Sequence, residues 1–120
     1  MASKQKKTDS YKVGTGNNTI EVALDVGLGQ LGAVKIALDK KTLVIAAAPM
    51  GQQPVGRAKD VVGKLLIVET MVTDVSIMTN KMSVVIQLIG GPSAKTITLT
   101  DEVPAEGESI LFETFVLFKE

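Results

Sequence analysis

From Thr19 to Val26 the chain reads TIEVALDV, with Ile20, Val22, Leu24 and Val26 alternating against Glu21, Ala23 and Asp25. Successive side chains of a strand point to opposite faces, so this period of two predicts a half-buried β-strand. AVKIALD repeats the pattern with Val34, Ile36 and Leu38 inward and Lys35 and Asp39 outward. Lys40-Lys41 then reads as a polar turn, and TLVIAAA (Thr42 to Ala48) as a third strand whose alanines suit close packing by a neighbour. PMGQQPVGRAKD (49–60) holds two prolines and two glycines among polar residues, which predicts the longest loop of the chain. KLLIVETMVTDVSIMT (64–79) exceeds an average strand and is expected to bend or bulge near Thr73-Asp74. Asn80-Lys81 reads as a tight hairpin turn, followed by the strand MSVVIQLIG, a turn at Gly90-Gly91-Pro92-Ser93, the strand KTITLT, the acidic loop 101–109 and a last strand, ILFETFVLFKE.

About eight strands joined by Gly, Pro and Asn turns, with no convincing long helix, predict an all-β protein: an antiparallel β-sandwich or flattened barrel with an extended N-terminal arm. The arm is residues 1–12, basic and polar, and 13–120 form one sandwich domain. A chain of 120 residues is long enough to bury roughly two-thirds of its unfolded surface as a single unit.

Two segments depart from the one-sided pattern. In ILFETFVLFKE, Phe112 and Phe118 point one way, while Leu111, Phe115 and Leu117 point the other. In 82–89 an inward set of Met82, Val84, Ile86 and Leu88 leaves Val85 and Ile89 on the opposite side. Exposed apolar surface of this kind is a liability unless something covers it. A terminal strand is free to add to a neighbouring sheet, so the cover expected here is another subunit.

Charge adds a second element to that picture. The whole chain is balanced, 13 basic against 13 acidic residues, which gives no global field to attract nucleic acid or an anionic membrane. Its ends are not balanced: Lys4, Lys6, Lys7 and Lys12 against Asp9 make residues 1–12 basic, and six acids against Lys119 make 101–120 acidic. The two ends should attract each other, within one chain or between neighbours.

Candidate chemistry is thin. The sequence has no His and no Cys, which removes the usual general base, thiolate nucleophiles, disulfides and the commonest transition-metal ligands. GLGQLG (27–32) matches the glycine pattern of a dinucleotide-binding turn, but that reading needs a helix next, and Val34, Ile36 and Leu38 keep a period of two, so a flexible glycine hairpin loop joining two antiparallel strands is expected here. Asp101, Glu102, Glu106 and Glu108 offer oxygen donors without the spacing of a calcium loop. Glu21, Asp25 and Asp39 suit a solvated strand face better than an acid pair. One Tyr and no Trp argue against stacking on bases or sugars. The opening MASKQKKTDSYK lacks the apolar core of a secretory signal, and no apolar run reaches the length of a membrane span.

The sequence therefore predicts a non-enzymatic structural or protein-interaction module without cofactor or metal, made in the cytoplasm or part of a particle assembled there. It is expected to self-assemble or to dock into a larger particle of the virion, secretion-machine or filament type. The expected interface consists of Leu111, Phe115, Leu117, Val85 and Ile89, with Lys4, Lys6 and Lys7 of the arm clipping an acidic surface. The alternative is a monomeric β-sandwich that binds a small ligand or peptide through loops 27–32, 49–60 and 101–109. A nucleotide-binding domain built on GLGQLG is the remote third.

Overall fold

The computed structural model describes residues 3–76 and 78–120. Among the described residues nine strands follow one another: β1 (Ser3–Lys12), β2 (Thr19–Gly27), β3 (Leu31–Leu38), β4 (Lys41–Ala47), β5 (Met50–Arg57), β6 (Leu65–Thr73), β7 (Lys81–Ile89), β8 (Lys95–Glu102) and β9 (Ser109–Lys119). A single helical turn, α1 (Ala58–Val61), separates β5 from β6. The strands form two sheets, one of five in the order β1-β9-β6-β3-β4 and one of four in the order β5-β2-β7-β8. This is the β-sandwich that the alternation predicts. Every pairing is antiparallel except β1 with β9, which run parallel from Ser3↔Ile110 to Lys12↔Lys119.

The core between the sheets is made largely by the inward sets read from the sequence, with Leu66 and Val68 of β6 added and Val26 and Leu38 only partly buried. Ile20, Val22 and Leu24 of β2 and Met82, Val84, Ile86 and Leu88 of β7 are buried from one layer. Val34, Ile36, Leu66, Val68, Phe112 and Phe118 are buried from the other. Each fully buried aliphatic or phenyl group contributes roughly 1.5–3 kcal/mol of transfer free energy, so these two rows dominate the stability of the fold.

The segment expected to be the longest loop is instead a strand and a helical turn. β5 covers Met50–Arg57 and pairs with β2, with register shifts beside Glu21 and between Val22 and Leu24. Those shifts bring both Met50 and Val55 inward, five positions apart, which no regular alternation allows. Pro54 is tolerated because β5 lies at the edge of its sheet.

Two further turns differ from expectation for one reason: consecutive strands lie in different sheets. β6 ends at Thr73 without a bend. There Asp74 leaves the ladder, its N–H donating to the Glu108 carbonyl and its own carbonyl accepting from Gly107 N–H. The chain then crosses to β7 in the other layer, so Asn80-Lys81 is no hairpin turn. GLGQLG likewise forms the corner between β2 in the four-stranded sheet and β3 in the five-stranded sheet. Gly32 is required at that corner, since a Cβ there would lie 2.6 Å from Val26 Cγ2. A strand follows the glycines, so the helix N-terminus on which a pyrophosphate would rest is missing.

Candidate interaction surface

The register of the five-stranded sheet arranges its outward side chains in rows across the strands. One row runs Ala47, Ala33, Met71 and Leu111, ending at Lys4. The next runs Ile45, Lys35, Glu69 and Glu113, ending at Lys6. A third carries Ala37, Ile67 and Phe115, ending at Thr8, and a fourth pairs Leu65 with Leu117 beside Ser10. Apolar rows thus flank a charged stripe. Ile45 is 73% exposed, Leu31 59% and Leu117 40%, and Met71 is also exposed. A shallow depression of about 200 Å³ is lined by Ala33, Ile45, Met71 and Leu111, with Lys35 and Glu69 on its rim.

The charged stripe is neutralised from the arm. Glu69 and Glu113 stand directly opposite each other, an unfavourable like-charge pair. Lys4 Nζ lies 2.8 Å from Glu113 Oε1. Its pKa is raised, first by the hydrogen bond to Glu113, then by the Glu113 charge, with Glu69 adding to the effect. Lys6 Nζ sits 5.2 Å from the centroid of the Phe115 ring, a cation–π contact that lays the lysine stem over the ring.

Strand β1 also stitches the two sheets together along one side of the sandwich. Lys95 Nζ donates to Asp9 Oδ1 at 2.7 Å and to the Ser10 carbonyl at 2.9 Å. Gln5 donates to the Asp101 carboxylate. The Tyr11 hydroxyl donates to the Ser93 carbonyl at 2.7 Å and accepts from Gly91 N–H at 3.0 Å, while its ring meets Phe118 edge-on with centroids 6.4 Å apart. The Asp9 carboxyl is held below the usual carboxylate range, chiefly by the hydrogen bond from Lys95 and against the opposing effect of burial.

Of the residues expected at an interface, Leu111, Phe115, Leu117, Lys4 and Lys6 share this outer face. Val85 and Ile89 do not. They lie half-buried on the outer face of β7, in the other sheet and on the opposite side of the molecule. That face is polar, with Thr96, Thr98, Thr100, Ser83, Gln87 and Asp25 on it. It carries an open groove of about 510 Å³ between Ala23, Asp25, Pro49, Gly51, Val85 and Gln87. Lys7 points to the side of β1 that faces β8, near Asp9.

The expected route of contact also needs correction. β9 is not a free terminal strand: β1 pairs along one edge and β6 along the other. Its backbone therefore has no unpaired side on which a neighbouring sheet edge would add. Only its outward side chains remain for contact.

Ile45, Met71 and Leu31 were not in the expected set. Ile45 had a signal, since Leu43, Val44 and Ile45 form a consecutive apolar run like those that marked β7 and β9. Leu31, at a loop boundary, and Met71, in a strand that alternates normally, had none.

Among the described residues, no group of three or more acidic side chains gathers closely enough to hold a metal ion, and no helix is long and apolar enough to cross a membrane. Set against protein-family models, curated proteins and solved structures, the chain matches none.

Proposed function

We propose that this protein is a non-enzymatic assembly module that associates with copies of itself through the outer face of its five-stranded sheet. One observation carries the reading: Ile45, Met71, Leu111, Phe115 and Leu117 lie on one side of a two-layer fold, with no third layer of the described chain over them. A solvated sheet face normally alternates apolar-in with polar-out, as the opposite face of this protein does. The charged stripe Lys35-Glu69-Glu113-Lys6 gives the face register as well as grease, because only some placements of a partner set lysines against glutamates.

Size-exclusion chromatography with light scattering tests the reading. The expected result is a concentration-dependent oligomer that Phe115→Glu dissociates and Thr98→Glu, on the polar face, does not. A monomer at high micromolar concentration, unaltered by Phe115→Glu, would overturn it. The same result would favour a monomeric binding module that uses the groove beside Ala23 and Val85.

A further inference from the structure

We infer that strand β4 is a self-pairing edge: two copies join antiparallel along β4, turning two five-stranded sheets into one continuous ten-stranded sheet. The inference rests on the self-assembly reading above and specifies how copies would be held in line.

A two-sheet sandwich of this topology has four edges, β1 and β4 in one sheet and β5 and β8 in the other. Edge strands expose unpaired N–H and C=O groups, and proteins protect them with charges, prolines, bulges or covering segments. Three of the four edges are protected. β1 carries Lys4, Lys6, Lys7, Asp9 and Lys12, β5 has Pro54 and two register shifts, and β8 ends in Asp101 and Glu102 and is laced to β1 through Lys95. β4, KTLVIAA, has its only charge at Lys41 and no proline, and its one register shift, at Leu43, leaves Val44–Ala47 in regular register.

The direction of its backbone groups follows from one hydrogen bond. Ala48 N–H donates to the Gly32 carbonyl at 3.0 Å, in line with the β3–β4 register. In an antiparallel ladder bonding alternates, so Ala46 and Val44 also turn their polar groups to β3. Ile45 and Ala47 therefore turn theirs to the open edge. Their side chains are exposed on the outer face at the same time.

A two-fold pairing centred on Ile45 sets Ile45 opposite its own copy and Val44 opposite Ala46, within the regular stretch that the shift at Leu43 bounds. The two Lys41 side chains then lie eight residues apart along the strand, about 26 Å at roughly 3.3 Å per residue. That exceeds the Debye length of about 8 Å at physiological salt, so the only charge on the strand does not oppose the pairing. The joined sheet would place the Ile45, Ala33, Met71 and Leu111 patch of each copy side by side on one face, doubling the apolar surface available for assembly.

The natural absence of cysteine makes the test direct. Under mild oxidation Ile45→Cys should crosslink into dimers, because paired residues across such a ladder have Cα atoms about 5.5 Å apart, within disulfide range. Thr98→Cys, also exposed but on the other sheet, should not. In parallel, Ile45→Lys should weaken dimerisation by about tenfold or more, and circular dichroism of each variant verifies the fold. If Phe115→Glu dissociates the oligomer while Ile45→Cys fails to crosslink and Ile45→Lys is silent, the edge pairing is wrong and the face reading stands. Crosslinking at Ile45 with dissociation by Ile45→Lys but not by Phe115→Glu supports the edge and removes the face. A monomer throughout removes both.

Discussion

The two long sides of the sandwich are closed in different ways. On one, the edges β1 and β8 face each other and exchange Gln5–Asp101, Asp9–Lys95 and the Tyr11 contacts to Ser93 and Gly91. On the other, the chain itself passes from β4 to β5 through Ala48-Pro49, and β4 is left bare. The first side reaches across the layers with polar side chains; on the second, β4 is apolar and no side-chain hydrogen bond joins it to β5 among the described residues. Two edges of one fold can thus be equally unpaired in topology and unequal in chemistry, and chemistry decides which one is available to a partner.

Removing residues 1–8 should produce the largest change, because it gives the first side the character of the second. β9 would become an edge strand with apolar residues on both faces. Lost main-chain bonds contribute roughly 0.5–1.5 kcal/mol each, so urea unfolding should show a loss of about 3 kcal/mol or more, accompanied by strong light scattering. A truncated protein as stable and monodisperse as the parent would show that β1 protects nothing.

Tyr11→Phe probes the same side more gently. The ring stays, but the Ser93 carbonyl and the Gly91 N–H lose their shared partner, at a cost of about 1–2 kcal/mol. Thermal or urea denaturation reads the difference; no change would mean that water replaces the hydroxyl and that the layers are held there by packing alone.

Acid should have the smallest effect. Asp9 has its folded-state pKa lowered, so the Asp9–Lys95 contribution is present above the unfolded carboxylate pKa of about 4 and is lost as pH falls below it toward the folded value. The pair is still reached by solvent, with Lys95 36% and Asp9 26% exposed, so screening should keep the loss to about 0.5 kcal/mol. Subtracting the pH–stability curve of Asp9→Asn from that of the parent isolates it; a difference that grows on acidification would reverse the sign worked out here.

The inward rows of β2, β3 and β7 were legible in the sequence because alternation survives wherever one face is wet. β5 was not, since the register shifts beside Glu21 and before Leu24 break the period, and Pro54 and two glycines read as a loop. The partner of β9 was equally hidden. Nothing local in SKQKKTDSYK marks a strand; it is held by a ladder to residues more than a hundred positions away, with Tyr11 as a buried anchor. For the candidate surface, the two-faced pattern correctly singled out Leu111, Phe115 and Leu117 as outward. It grouped them with Val85 and Ile89 because a sequence carries no information on which sheet a strand joins.

The parallel ladder between β1 and β9 also orders events during synthesis. β1 is made first, yet its pairing partner emerges only after every other strand, and contacts so distant along the chain are slow to form. A nascent chain halted before Ser109 has β6 and β1 with an empty lane between them. The lysine-rich start must therefore wait, unpaired, until the lane is filled.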